Sequence, residues 1–127
     1  MLPGQIVAAT LIAAGTSLIP SRIRGRSEIA LLALYGVVAA EFYGLVMDLF
    51  YWPIAIGGGT QLSFDTNQSL SVNASRFFTY HFVGALAWDI PRAILTATLI
   101  VIAGKSVLNS IRRSLQPVVV IERAIQP

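Results

Sequence analysis

The stretch Trp88-Asp89-Ile90-Pro91-Arg92 places an acid and a base three residues apart inside an otherwise apolar run from Phe77 to Ala103. On a helix, this i, i+3 spacing lets Asp89 reach Arg92. Pro91 cannot donate to the carbonyl four residues before it, so that carbonyl needs water, a neighbouring helix or a ligand. Ionisable groups within a membrane more often mark a pathway or a ligand site than a purely structural pair. The stretch therefore predicts a bent helix with a binding site beside the bend.

Three further features of this helix bear on that site. His81, Trp88 and Arg92 recur at spacings of seven and four and are expected to share one face, with Asp89 one position round. A single histidine is a poor signal for a metal site, and we expect His81 to pack or hydrogen-bond near the outer surface. Trp88 is either a core residue or a platform on which a flat ligand stacks. Asp89 and Arg92 either neutralise each other or contact that ligand.

An earlier apolar stretch carries two more carboxylates, Glu41 and Asp48, seven residues apart and nearly eclipsed on a helix. Their separation of about 10 Å along the axis is too large for a catalytic dyad that shares a proton. The sequence has no Gly-x-Ser-x-Gly elbow, and its one histidine has no evident nucleophile. We therefore expect neither catalysis nor a cofactor nor a bound metal.

Composition places the chain among integral membrane proteins. Of its 127 residues, 55% are hydrophobic and 12% are charged, and the mean hydropathy is +0.71. These values lie outside the range of soluble domains. The net charge of +3 comes from short basic clusters beside apolar runs, without interleaved aromatic residues, so a nucleic-acid partner is not expected.

Three apolar segments predict an all-α protein with transmembrane helices at about 2–19, 27–52 and 76–103. Ser27 is the expected N-cap of the second helix, Pro53 its expected end, and Gly104 the expected C-terminal cap of the third. The first 104 residues would then form the membrane domain, with an outer loop at 53–75 and a basic cytoplasmic tail at 105–127.

Charge and small residues predict how these helices sit in the bilayer. Basic residues cluster in the loop after the first helix and again after Gly104, against Arg76 alone on the opposite side, directly after the loop 53–75. The positive-inside rule then puts the amino terminus outside and the carboxyl terminus in the cytoplasm of the plasma membrane. Gly36, Ala40 and Gly44 form a smooth stripe on the second helix, where another helix can approach closely.

Several segments together resemble the substrate-binding S component of energy-coupling factor (ECF) transporters of the actinobacterial type. They are Arg-Ile-Arg-Gly-Arg-Ser-Glu-Ile-Ala from Arg22, Tyr43-Gly44-Leu45-Val46-Met47-Asp48-Leu49 with Tyr51-Trp52-Pro53, and Arg76-Phe77-Phe78 with Trp88-Asp89-Ile90-Pro91-Arg92-Ala93. S components usually have six transmembrane helices, and this chain matches the last three. The family often has Asn at the position of Asp48 and a small or apolar residue at that of Glu41.

The resemblance implies capture of a vitamin or related micronutrient from outside. Release would follow association with a transmembrane T component and two ATP-hydrolysing subunits, as in ABC transporters. The substrate-binding residues it implies are Tyr43, Asp48, Tyr51, Trp52, His81, Trp88, Asp89 and Arg92, with Asp65 and Asn67 closing the outer loop over the ligand. The stripe of Gly36, Ala40 and Gly44 could replace the small residues with which the family's first helix contacts the T component.

Two questions stay open at the level of sequence. The chain is either a truncated S component or half of a split one, and if it is complete a homodimer would give six helices. The alternative function is a non-catalytic structural or assembly subunit of a membrane complex, in which Asp89 and Arg92 clasp two helices and no ligand binds.

Overall fold

The computed structural model describes the backbone of residues 2–125 and the side chains of residues 3–54 and 56–115, and every regular element in this part of the chain is helical. The elements, in chain order, are α1 (Leu2–Gly15), a 3-10 turn (Thr16–Leu18), α2 (Arg26–Ala55), α3 (Leu70–Tyr80), a π-helical turn (His81–Ala85) and α4 (Leu86–Ile125). The expected all-α class is confirmed. The end of the predicted cytoplasmic tail, with the side chain of Arg123, lies outside the described residues.

The first helix is shorter than the predicted 2–19. Its α-helical part ends at Gly15, and a 3-10 turn takes it to Leu18. The hydroxyls of Thr16 and Ser17 donate to the carbonyl oxygens of Ala13 and Ala14 at 2.6 and 2.8 Å. These bonds satisfy the last carbonyls of the helix and so favour its end there.

The second helix starts one residue and ends three residues outside the predicted 27–52. Gly25, not Ser27, occupies the N-cap position, with a φ of 76° that glycine adopts without strain. Pro53 lies inside the helix, not at its end. A proline removes one hydrogen bond from a helix, and near a carboxyl end that loss is small enough for the last turn to survive.

The third predicted helix is the segment that differs most from expectation. Instead of 76–103, helical structure runs without interruption from Leu70 to Ile125 as α3, the π turn and α4. The segment before Arg76 looks like a polar loop, but the Oγ of Ser69 accepts from the N–H of Val72 at 3.4 Å and caps α3. Gly104 does not end α4. It lies where a Cβ would come within 3.3 Å of Ile29 Cδ1, so its small size serves packing.

Two stretches are long and apolar enough to cross a membrane, Arg26–Ile54 with 29 residues and Leu70–Leu115 with 46 residues. The stretch Pro3–Leu18 is apolar but shorter. A span of 46 residues measures about 69 Å as a helix, more than twice the hydrocarbon thickness, so part of it must project beyond a bilayer.

The helix α2 lies at the centre of the fold. It packs antiparallel against α1 on one side, where Gly4 lies beside Phe50 and Gly15 beside Tyr35. It packs antiparallel against α4 on another side, and no Cα atom of α1 lies within 8 Å of one in α4 over the described residues. The three helices therefore form an open row and do not close into a bundle.

The two ends of this row differ in chemistry. At one end, Glu28 near the start of α2 pairs with Arg112 of α4 and lies 3.6 Å from Arg24. Both basic clusters therefore lie at the same end of the helices. The polar connection between α2 and α3 lies at the other.

Candidate functional site

The candidate site lies on the interface between α2 and the helix that runs from α3 to α4. A stripe of small residues on α2 makes the interface close, because a Cβ at Gly36 would lie 2.7 Å from Ile100 Cδ1 and 3.1 Å from Thr96 Cγ2. Ala40, one turn further, is buried. At Gly44 an added Cβ would overlap the carboxyl group of Asp89. The stripe thus contacts α4 within this chain.

Asp48 and His81 bridge this interface. The Nδ1 atom of His81 lies 2.7 Å from Oδ2 of Asp48, across 33 residues of sequence. His81 is 6% exposed, and its ring stacks on Phe77 with centroids 6.3 Å apart. A buried imidazole held by a carboxylate on one nitrogen has a fixed ring orientation. This pair therefore fixes the π turn against α2.

Asp89 is the most buried ionisable residue among the described side chains that line the interface, with 2% of the residue exposed. Its Oδ1 accepts from the guanidinium of Arg92 at 2.7 Å. Its Oδ2 is enclosed and has no hydrogen-bond partner among the described residues. Arg92 also lies over the ring of Tyr43, with Cζ 5.5 Å from the centroid, a cation–π distance. Burying a carboxylate with one oxygen unpaired is costly unless something else binds it.

The π turn explains why His81 and Asp89 share a face. In a regular α-helix, residues eight apart differ by about 80° in direction, so the spacing predicts that Trp88, seven residues on, faces the same way as His81. The π turn accommodates one extra residue and moves the following residues back by about one position. Asp89 therefore points at α2, while Trp88 is 77% exposed. The expected shared face of His81, Trp88 and Arg92 is wrong for this reason.

A cavity of about 410 Å³ lies against this interface. It has both polar and apolar walls, since aromatic rings, small residues and charged groups contribute to it. Its lining residues are Gly44, Met47, Asp48, Tyr80, Gly84, Ala85, Trp88, Asp89 and Arg92. A volume of this size is at the lower end of sites that hold small organic molecules, and a few convergent polar groups in an apolar wall are typical of such sites.

One group of side chains in this site could hold a metal ion. Asp48, His81 and Asp89 each offer one ligand atom, and these atoms all lie within 4.8 Å of one another. Carboxylate oxygens and an imidazole nitrogen are ligands for divalent transition metals. Sequence reasoning missed this group because Asp48 is remote in the chain and because regular helical geometry turns Asp89 away from His81. The pattern Asp48, His81, Asp89 has no spacing signature that would have revealed it.

Four of the predicted ligand residues do not line the cavity: Tyr43, Tyr51, Trp52 and His81. Trp52 is 5% exposed, and its Nε1 donates to the carbonyl of Leu62 at 2.7 Å. Its ring packs edge-on against Phe64 and Phe77, with centroids 5.6 and 5.5 Å apart. Trp52 therefore holds the connection between α2 and α3 in place. Tyr51 is half-buried and does not line the cavity.

The connection itself is held by Asn73, which is not among the predicted site residues. The Oδ1 atom of Asn73 accepts from the N–H of Asp65 at 3.1 Å, and its Nδ2 donates to the carbonyl of Asp65 at 2.8 Å. The carboxylate of Asp65 accepts from the N–H of Asn67 at 2.9 Å, which closes a local turn. Asp65 and Asn67 thus shape the connection, and neither lines the cavity.

Glu41 lies off the cavity as well. It is half-buried on α2, and within the described side chains no basic group lies within 4.0 Å of it. Of the candidate residues, the structure brings Asp48, His81, Trp88, Asp89 and Arg92 together, with Tyr43 under the guanidinium.

No protein-family model, curated protein or solved structure matches the chain. The site is therefore interpreted from its own geometry.

Proposed function

We propose that this chain supplies the substrate-binding site of a membrane subunit of an ECF-type importer, and that it binds a vitamin-like micronutrient from outside the plasma membrane. The observation that carries the proposal is the cavity of about 410 Å³ between two helices of membrane-spanning length. Its walls combine an exposed indole, that of Trp88, with the charged groups of Asp89 and Arg92. A polar cavity among apolar helices is expected in a protein that recognises a solute within a membrane.

The arrangement of the helices supports this proposal. Since α1 contacts α2 and not α4, the row offers open apolar sides on which further helices can pack. A six-helix S component would supply three such helices, from a longer chain, a second chain or a second copy. In the proposed topology α1 also spans the bilayer, although its 14 α-helical residues give only about 21 Å. It would then cross with little tilt or locally thin the membrane.

The proposed orientation follows from charge. Arg24, Glu28 and Arg112 lie at one end of the row, and this end would face the cytoplasm. There it would approach the T component and the ATP-hydrolysing subunits. The connection shaped by Trp52 and Asn73 would face outside, above the cavity. A ligand would enter from that side.

The test is to purify the protein from cell membranes and to identify co-purified small molecules by mass spectrometry. We expect one organic molecule per copy of the binding unit in the wild type. Trp88→Ala removes the proposed stacking surface, so its ligand content should fall about ten-fold, the effect of roughly 1.4 kcal/mol. Leu95→Ala is the matched control, because Leu95 is also exposed on α4 but does not line the cavity.

A second candidate function is that of an assembly subunit without a ligand. It is favoured by the pairing of Asp48 with His81, which joins α2 to the π turn, whereas Asp89 and Arg92 pair within α4 itself. A wild-type protein that carries no organic molecule, but that co-purifies with a fixed membrane partner, would support this function. That result would contradict the import proposal.

A further inference from the structure

We infer that Asp48, His81 and Asp89 form a binding site for a divalent transition-metal ion at the base of the cavity, with α2 and α4 as its two sides. This inference does not rest on the proposed import function, because a metal can bind here whether or not an organic solute does.

The first argument is geometric. One ligand atom from each of the three residues lies within 4.8 Å of the other two. Metal–ligand bonds of about 2.0–2.2 Å place neighbouring ligand atoms about 3.0–3.5 Å apart, so binding would shorten the longest of these distances by up to about 1.3–1.8 Å. The hydrogen bond of 2.7 Å between His81 Nδ1 and Asp48 Oδ2 would have to lengthen by about 0.3–0.8 Å and give up its proton to the solvent when a metal binds. Both movements are within reach of side-chain rotation.

The second argument is the unpaired oxygen of Asp89. Arg92 holds Oδ1 at 2.7 Å, whereas Oδ2 is enclosed without a hydrogen-bond partner among the described residues. The side chain is 3% exposed, so Oδ2 has little access to bulk solvent. A carboxylate that is oriented through one oxygen and free at the other is the usual form of a metal ligand with a supporting partner. Gly44 is what allows this carboxylate to lie against α2.

The third argument concerns charge and the kind of metal. Two carboxylates supply the negative charge that a 2+ ion needs and one neutral imidazole adds a third ligand, while Arg92 beside Asp89 adds one positive charge. Three protein ligands leave at least one coordination position of such an ion for a further molecule. Three protein ligands with an open position are typical of reactive or exchangeable zinc sites, not of closed structural ones. One nitrogen ligand and few oxygens favour Zn²⁺, Ni²⁺ or Co²⁺ over Ca²⁺, which takes six to eight oxygens.

The experiment is metal binding to the purified wild-type protein, prepared without a polyhistidine tag. We expect one Zn²⁺ per chain by titration calorimetry, and a Co²⁺ complex with visible d–d absorption. Asp48→Asn, His81→Gln and Asp89→Asn should each weaken binding by at least about ten-fold. Glu28→Gln and Asp65→Asn remove carboxylates elsewhere and should leave it unchanged.

A second measurement, made on the wild type, keeps the inference testable if the variants fail to fold. The chain has one histidine, so X-ray absorption spectroscopy of the zinc-loaded wild type should show scattering from a single imidazole together with oxygen ligands. A wild type that binds no metal, or a bound metal without imidazole scattering, would overturn the inference. Metal binding without a co-purified organic molecule would sustain the metal site and contradict import. A co-purified organic molecule in a protein that binds no metal would support import and contradict the metal site.

Discussion

The helix α2 makes two interfaces that are held in different ways. Against α1 it offers apolar surface and one polar contact, the hydroxyl of Tyr35 donating to the carbonyl of Ile12. On the side that faces α4, α2 carries glycines and Asp48. The buried carboxyl group of Asp89 lies against this side of α2. Apolar helices in lipid gain little from burial alone, so close packing and polar contacts decide which neighbours they choose. The interface with the π turn and α4 is thus fixed by buried polar groups as well as by close packing, whereas the α1 interface depends mainly on shape.

Gly44→Ala should have the largest effect on the α4 interface, and it therefore tests this difference most directly. The added Cβ would overlap the carboxyl group of Asp89, which must then leave the interface or force the helices apart. We expect a loss of about 1–3 kcal/mol from overpacking, measured as a lower midpoint of thermal unfolding in detergent. Metal binding should fall with it.

Gly84→Ala is the control for this change. An added Cβ at Gly84 would lie 3.9 Å from the ring of Tyr80, an ordinary van der Waals distance. Its unfolding midpoint should equal or slightly exceed that of the wild type, because alanine favours a helix more than glycine does. If Gly44→Ala were as stable as Gly84→Ala, Asp89 would not depend on the glycine, and the account of this interface would be wrong.

Asn73→Ala tests whether the α4 interface depends on the connection above it. The change leaves the N–H and the carbonyl of Asp65 without their partners, so we expect the unfolding free energy to fall by about 1–3 kcal/mol. Asn67→Ala removes the same side chain from an exposed position and should have no effect. Metal affinity unchanged in Asn73→Ala would show that the two regions are independent, and a parallel loss would show that they are coupled.

Tyr35→Phe addresses the α1 interface. The substitution removes the hydroxyl that donates to Ile12 and keeps the ring, so the expected cost is about 1 kcal/mol. Chemical unfolding measures it, with Tyr51→Phe as the comparison at a half-buried tyrosine. A cost as large as that of Gly44→Ala would contradict the distinction between the two interfaces.

The smallest effect is expected from Arg112→Gln. Arg112 pairs with Glu28 at the end of the row, where its side chain is 38% exposed. Such ion pairs contribute about 0–1 kcal/mol and weaken with salt. Arg113→Gln changes the neighbouring exposed residue and should leave the free energy of unfolding unchanged. An effect of Arg112→Gln that persists in high salt would indicate that the contact is packed and not merely electrostatic.

Much of this fold could be predicted from the sequence, because apolar length and periodicity act locally. The existence of the helices follows from such patterns, and the reach of Asp89 to Arg92 follows from helical spacing. The ends of the helices were harder to predict. The polar residues before Arg76 conceal a capped helix start at Ser69, and Gly104 serves packing instead of ending a helix.

The site was less predictable than the fold. The pairing of Asp48 with His81 joins residues 33 positions apart and depends on how α2 and α4 approach each other. The type and location of Trp52 predict a side chain that packs against a ligand, but its indole N–H donates to the carbonyl of Leu62. Neither outcome is encoded in spacing along one helix.

The π turn at His81–Ala85 has a consequence for the length of the chain. A protein one residue shorter in this turn could close it into a regular α-helix and still present the equivalents of His81 and Asp89 to α2, since residues seven apart lie within about 20° of each other. Deleting Gly84 should therefore preserve the pairing of the two helices, whereas an insertion at the same point would rotate Asp89 out of the interface. Distant relatives that share this architecture would then align only with a single-residue gap in the middle of a long apolar helix.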